Sequence, residues 1–530
     1  METSTPAPRK GFLAWVERTG NRLPDPVFLF LYLIIGLVAL SLLAKWLGWS
    51  AQHPTQVGPD GQKLLVEAKS LLSGDNIRKL LVEMPQTFTH FHPLGYVLVV
   101  MLGAGVAERS GLFASAMSAA VKRAPASLLT PVVALVAMIS NHAADAAYVV
   151  LIPLAGVLYA SAGRHPLAGI ACAFAGVSGG FSANIAPGQL DALLLGITQT
   201  AAVSISPKHP SNIAGNWYFI VGLTVIFLPV IWWVTDKVIE PRLGRWMPTE
   251  GSETKAESAP EGARKGLIWA GLAALLVVGL WVFLALGPGT PLIDEAACPD
   301  DKLAAGLCSI QVRLTPFYQS LVGGFFLLFL LAGWAFGRAT GSIKGHRDVV
   351  RMMTDSMKDL GYYLALAFVA AHFVAMFSWS NLGLISAVHG AELIRSSGLP
   401  LPAVVGLLVL FTALINLFVG SASAKWALLA PVMVPMLMLL GVSPEGATAA
   451  YRVGDGATNI ITPLMVYFPL ILVFCQRWQK DFGVGSLTAT MLPYSLGLLV
   501  SGLLLMVAWI LLGIDLGPGA PIEFTLPKAP

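Results

Sequence analysis

The chain has 530 residues, 56% of them hydrophobic and 12% charged, with four cysteines and a mean hydropathy of +0.72. Soluble domains average about 25% charged residues, disordered chains are poor in apolar ones, and disulfide scaffolds are short and cysteine-dense, so all three classes are excluded. A polytopic membrane protein remains. The formal net charge of +4, from 33 Lys+Arg against 29 Asp+Glu, is a mild excess of the kind that records topology. No basic run is long enough for a nucleic-acid patch.

A bilayer core of about 30 Å takes about 20 helical residues, and that ruler sets the elements in chain order. After the basic segment Met1–Asp25, a first span runs from Pro26 to about Leu47. No small-residue cleavage site follows Val27–Leu43, so this run reads as a span rather than a signal. Residues 49–92 are polar and read as a loop. A second span runs from Pro93 to before Lys122. The apolar run Ser127–Tyr159 is broken at SNHAADA. A third span, Pro166–Thr200, is broken at GGFSANIAPG. A fourth covers Asn216–Val234, and the polar linker Asp236–Lys265 follows. Spans five and six are Gly266–Leu286 and Pro316–Phe336. After a basic segment comes the seventh, Tyr362–Leu382. Pro402–Leu440 is broken at GSASAKW, the eighth span Ala447–Phe474 at GDGATNIITP, and the ninth is Tyr494–Leu512.

Positive-inside counting puts the N-terminus, Lys122–Arg123, Arg164, the 236–265 linker, the 338–358 segment and Arg477–Lys480 in the cytoplasm. Nine spans satisfy this if 127–159 and 402–440 are re-entrant hairpins. The C-terminus then lies outside, as does the Cys298–Cys308 loop, where a disulfide and two free thiols are equally open. The expected fold class is thus an all-α integral membrane protein. Its units are a cytoplasmic segment (1–25), a first span and outer loop (26–92), repeat 1 (93–235), the linker (236–265), two linking spans (266–337), a basic segment (338–360), repeat 2 (361–513) and a tail (514–530).

The repeats are read from the breaks. ADAAYVVLIP at 144 aligns with ASAKWALLAP at 422, an offset of 278, and GGFSANI at 179 with GDGATNI at 454, an offset of 275. Charge counting gives the halves opposite orientation, the inverted repeat of secondary transporters. Non-helical backbone at membrane depth must face protein or a water-filled cavity, so four breaks imply a central polar site. Ionisable residues in spans are functional candidates, and they gather here. Arg452 and Asp455 are three apart, so they share a helix face and read either as a self-neutralising pair or as a carboxylate-binding arginine beside a cation-binding acid. Asp191 has no local partner. Ser421, Ser423, Lys425 and Trp426 form one hairpin tip, where hydroxyls and an indole suit an aromatic or amide ligand and Lys425 could snorkel to the interface. Asn141, His142 and Asp145 form the other tip, where the H-x-x-D spacing could suit a metal but, with no third ligand nearby, reads rather as a structural or cavity group. Asn184 and Asn459 match across the repeat and suit a sodium or substrate shell with Asp455. His372 reads as a packed polar group, and Cys172 and Cys475 as packed thiols. No Walker loop, GxSxG or HExxH motif is present.

The strings ERTGNRLPDP, SANIAPGQLDALL, FSWSNLG, INLFVGSASAKWALLAPVMVP and YRVGDGATNIITPLMVYFP resemble the AbgT family of p-aminobenzoyl-glutamate transporters, from about Trp15 to Leu512. The resemblance implies nine spans, two hairpins and a homodimer around a water-filled basin in the bacterial inner membrane. It implies ion-coupled transport of p-aminobenzoyl-glutamate or related folate fragments, and for some members export that confers sulfonamide resistance. It implies a substrate site of Asp191, Ser423, Trp426, Pro444, Arg452, Asp455 and Pro463. Gly456 departs from the pattern, where a serine is common, and this weakens a sodium reading. The expected coupling ion is a proton or sodium, carried at Asp455 or Asp191, with no other cofactor. The partners expected are a small aromatic amide or carboxylate and the lipid bilayer. A sodium-coupled dicarboxylate symporter is the second reading, an ion channel or an intramembrane enzyme the remaining ones.

Overall fold

The computed structural model describes residues 26–57, 62–122, 125–143, 147–207, 209–244, 246, 262–286, 289–297, 299–300 and 313–526. Residues 1–25, most of the 236–265 linker, Asp145, Cys298 and Cys308 lie outside these. The chain is mostly helical. Seven described helices are long and apolar enough to cross a membrane, or eight if one bent pair counts as a single span.

The first of these, α1 (Pro26–Trp46), has 21 residues, about 31 Å of helix. The polar stretch after it is not the plain loop its composition predicts. It forms an antiparallel hairpin, β1 (Ser50–Val57) and β2 (Lys63–Glu67), then α2 (Gly74–Val82) and α3 (Met84–Thr89). The all-α reading is corrected by this one small sheet. The alternation in KLLVE is too short to distinguish a strand from an apolar cluster. Asn381, with φ of 61°, turns the chain beneath the hairpin and donates from Nδ2 to the Glu67 carbonyl at 2.8 Å.

The second predicted span is α4 (His92–Arg109) and α5 (Leu112–Lys122), bent by 61°. Helices α6 (Leu129–Ile139) and α7 (Ile152–Ser161) occupy the first predicted hairpin. The third span is indeed two helices. α8 (Pro166–Phe174) ends in a π-helical turn, Ala175–Gly179, and α9 (Gln189–Ala202) begins after the break. α10 (Trp217–Val234), α11 (Ala263–Phe283), α12 (Thr315–Thr340) and α14 (Gly361–Trp379) match spans four to seven, and an amphipathic helix, α13 (His346–Asp359), lies between the last two. Helix α15 (Leu382–Ser396) lengthens the chain after Asn381 beyond the predicted span. α16 (Leu401–Asn416) and α17 (Ala422–Leu439) occupy the second predicted hairpin, although α17 alone is long and apolar enough to cross; α18 (Pro444–Thr458) and α19 (Phe468–Trp478) occupy the predicted eighth span, and α20 (Val484–Leu512) the predicted ninth.

Small residues let these helices approach closely, as in membrane interiors generally. Gly454 on α18 faces α16 so tightly that an added Cβ would overlap the Thr412 hydroxyl and the Val409 carbonyl, and would lie 2.8 Å from the Ala413 nitrogen. Gly454→Ala is therefore expected to cost about 1–3 kcal/mol, the range for forcing a methyl into a packed interior. Equilibrium unfolding in detergent checks this, and a variant as stable as wild type would contradict the contact.

Arg164 ties the α7–α8 turn to the far end of α10. Its guanidinium bonds the Glu240 carboxylate, Asp236 Oδ1 at 2.6 Å and Thr130 Oγ1 at 2.8 Å. The other charged end is α13. There the Asp348 carboxylate accepts the backbone N–H groups of Lys344 at 2.9 Å and Gly345 at 3.1 Å. These bonds, the Lys344 one foremost, hold its carboxyl below the usual aspartate value. A depressed folded value contributes stability that is fully present above the unfolded value of about 3.9 and is lost as pH falls through the folded one. The protection of the Lys344 and Gly345 amides, measured against the exchange rate of an unstructured peptide at the same pH, should fall on acidification through that window. Asp348→Asn should abolish the pH dependence.

Candidate functional site

The breaks in the two halves meet. Ser182, in the first break, donates from Oγ to the carbonyl of Arg452 at 3.0 Å. A Cβ on Gly456 would lie 3.1 Å from the Gly179 carbonyl oxygen and 3.4 Å from Ser182 Oγ. The serine expected at 456 has little room here, which gives the glycine a packing reason.

Every residue of α18 is buried, yet it carries Arg452 and Asp455. The two do not pair with each other. Arg452 Nη2 bonds Asp191 Oδ1 on α9, and Asp455 Oδ1 bonds the Lys425 ammonium on α17. Both pairs are nearly inaccessible to solvent. This corrects three expectations. Asp191 has a partner, supplied from 261 positions along the chain. Arg452 and Asp455 are not a self-neutralising couple, because their side chains turn to different neighbouring helices. Lys425 does not snorkel: at 1% exposure it is buried, since a carboxylate inside the protein offers it a better partner than the interface does.

Each pair is held by further bonds. Asp191 Oδ2 accepts the Gly188 N–H at 2.7 Å, closing the first turn of α9, where a carboxylate also suits the helix dipole. Tyr451 lends its hydroxyl to Asp455 Oδ1 at 3.2 Å and to the Ala422 carbonyl at 2.6 Å. Asn416, at the end of α16, accepts from the Lys425 ammonium and donates toward the Asp455 carbonyl at 2.6 Å. Its Nδ2 also reaches Thr458 Oγ1 and Asn459 Oδ1, both at 2.9 Å. The sequence reading missed Asn416, although an asparagine closing an apolar helix was a signal that could have found it.

Trp426 is fully buried rather than presented to a ligand. Its indole stacks on Tyr451 with centroids 4.5 Å apart and donates to Thr198 Oγ1 at 2.8 Å. Thr198 in turn meets Thr448 Oγ1 at 2.8 Å; both threonines were missed, being unremarkable in sequence. Ser423 is half-buried, 3.2 Å from Ser421 Oγ, and lines a cleft with Phe91, Leu193, Ile197 and Tyr363. Pro444 opens α18 behind the Ser443 cap, and Pro463 is half-buried in the second break.

Asn459 thus joins the Lys425–Asp455 cluster. Asn184 does not: it is buried in the first break, its Oδ1 accepting the Ile185 N–H at 2.8 Å and its Nδ2 3.5 Å from the Met138 carbonyl. On the tip that contains Asn141 and His142, Asn141 Nδ2 bonds the Met138 carbonyl at 2.9 Å. Among the described residues no group of three His, Cys, Asp or Glu could hold a metal. His372 is packed on Phe368, its Nδ1 2.7 Å from that residue's carbonyl. Cys172 and Cys475 are buried thiols. A separate cavity of about 1260 Å³ lies away from these pairs, under the β1–β2 hairpin, with Lys45, Lys69, Arg78 and Lys79 in its wall.

This arrangement can exchange partners. A proton, a cation or an anionic solute that engages one carboxylate or one cationic side chain must loosen a pair, and both pairs are anchored on one short helix.

Comparison with known proteins agrees with this architecture. The family model described as "AbgT putative transporter family" matches residues 11–524. The p-aminobenzoyl-glutamate transport protein of Escherichia coli K12 is 36% identical over 506 residues, 95% of this chain and 96% of that protein. The crystal structure of the Alcanivorax borkumensis YdaH transporter superposes with a TM-score of 0.84 at 41% identity, covering 93% of this chain and all of that one. Neisseria gonorrhoeae MtrF, described within a class of antimetabolite efflux pumps, superposes with a TM-score of 0.87 at 42% identity, covering 96% of this chain and 100% of its own. The relatives are transport proteins, and this multi-pass membrane protein is a transporter rather than an enzyme. Matched by the family model over nearly its whole length, the chain belongs to the AbgT family.

Proposed function

We propose that this chain is a proton-coupled secondary transporter of p-aminobenzoyl-glutamate and related aromatic amide carboxylates. In this reading it works as a homodimer in the bacterial inner membrane. It has nine spans, two re-entrant hairpins and an inverted repeat, with the N-terminus cytoplasmic and the C-terminus periplasmic. The observation that carries it is the pair of buried, opposite-charge contacts, Asp191–Arg452 and Lys425–Asp455, where two helix breaks meet. Arg452 suits a substrate carboxylate. The substrate then competes with Asp191, whose release from the guanidinium is linked to its proton. Sodium near Asn459 and Asp455 is the alternative coupling ion, but it would enter a place that the Lys425 ammonium already fills. Export of sulfonamide-type antimetabolites is a second reading, favoured by the likeness to MtrF. Nothing in the relatives favours the dicarboxylate symporter.

The test is movement of radiolabelled p-aminobenzoyl-glutamate in proteoliposomes, with a proton gradient and a sodium gradient imposed separately. The proton gradient is expected to drive accumulation above equilibrium. If only sodium drives it, the coupling is wrong; if neither does, the substrate is wrong.

A further inference from the structure

The Asp191–Arg452 pair is not sealed on all sides. On α18, Glu445, Thr448 and Arg452 recur at three and four residues, so they share one face. On α9, Asp191 and Thr198 are seven apart and likewise share a face. The two faces meet through the Thr198–Thr448 bond at 2.8 Å. Between them lies a cavity of about 30 Å³, whose wall includes Asp191, Thr198, Asn216, Glu445, Thr448 and Arg452. That is room for about one water, and a water needs two to four polar partners. Arg452 lines this cavity, and its buried Nε has no hydrogen-bond acceptor, a costly state for a buried N–H.

The column continues beyond the cavity. His209 Nε2 lies 3.2 Å from both carboxylate oxygens of Glu445. The imidazole is 15% exposed and the carboxylate 9%. The histidine also meets the C-terminal segment, its ring edge-on to Phe524 at 5.9 Å. Asn216 Nδ2 pins the backbone here by donating to the Glu445 carbonyl at 2.9 Å. Among the described residues, the titratable groups facing this column are His209 from the segment after α9, Glu445 and Arg452 from α18, and Asp191 from α9. His142, from the tip after α6, lies within electrostatic reach of Asp191.

We propose that His209 and Glu445 form the mouth of a proton path to the Asp191–Arg452 pair, opening on the face that carries the C-terminal segment. A proton from solvent binds His209 Nε2 and passes to a Glu445 oxygen, leaving the imidazole neutral. Glu445 gives it to water in the cavity, which gives its own proton to Asp191. The carboxyl becomes neutral and lets go of Arg452. Only N–H and O–H bonds form and break, and one proton moves in net. The inference rests on the proton-coupled reading above.

The test uses full-length protein in proteoliposomes, comparing proton-driven transport of p-aminobenzoyl-glutamate with gradient-free exchange of the same solute. In Glu445→Gln and in His209→Gln, driven transport is expected to fall by about 100-fold, the scale of losing a positioned proton-transfer group. Exchange should stay within about twofold of wild type, because these residues do not carry the solute. Glu445→Asp should restore most of the driven rate. Wild-type driven rates in both variants would overturn the path. So would a parallel loss of driving and exchange in both, which would mark a structural role. If wild type itself is not driven by protons, the proposed coupling fails and the path fails with it, an outcome distinct from loss in the variants alone.

Discussion

Arg452→Met is expected to destabilise the protein by about 3–5 kcal/mol, the cost of leaving one partner of a buried ion pair behind. The partner left is Asp191, 8% exposed, which would keep its bond to the Gly188 N–H but lose its counter-charge. Adding Asp191→Leu should recover most of the stability, since replacing both charges by packed apolar groups is often neutral. Neither the single nor the double variant should transport. Reversible unfolding in detergent reads the first effect, and a single variant within about 1 kcal/mol of wild type would show the pair to be dispensable.

Lys425→Met should have an effect of the same size, about 3–5 kcal/mol. Asp455 would keep the Tyr451 hydroxyl at 3.2 Å but no cation, and Asn416 would lose the donor to its side-chain oxygen. The disturbance should spread to the C-terminal end of α18, because Asn416 also holds Thr458 and Asn459. Lys425→Arg is not a mild change here. The flat guanidinium cannot take the place of a compact ammonium between Asp455 and Asn416, so both variants should lose proton-driven transport. An arginine variant that transports at the wild-type rate would show that only the charge at this position matters.

Much of this architecture was legible in the sequence. Apolar runs of about 20 residues place the spans because bilayer thickness fixes their length. The breaks are equally local: GGFSANIAPG and GDGATNIITP interrupt apolar runs with Gly, Pro and polar residues, and the chain does leave α-helical geometry after α8 and after α18. What periodicity cannot carry is contact across the fold. Three-residue spacing puts Arg452 and Asp455 on neighbouring parts of one helix surface, but it does not say which neighbour each meets. Asp191 looked unpartnered because its arginine stands 261 residues away. Lys425 looked like an interfacial lysine because the carboxylate that retains it belongs to another helix. Trp426 is a natural aromatic platform by type. Only its packing against Tyr451 and Thr198 reveals that both its face and its N–H are already engaged. The β1–β2 hairpin was hidden for a different reason. β2 has only five residues and β1 is polar and carries Pro54, and strand pairing is a tertiary outcome that such a pattern does not specify.

The central claim is that the two charge pairs on α18 are opened and closed during transport. The most direct measurement is proton-driven movement of p-aminobenzoyl-glutamate by Asp455→Asn in proteoliposomes, beside wild type, with helical content checked by circular dichroism. Asparagine keeps the volume and removes the charge. The expected result is a folded protein whose driven transport falls by about 100-fold or more. A folded Asp455→Asn protein that accumulates the solute at the wild-type rate would contradict the claim.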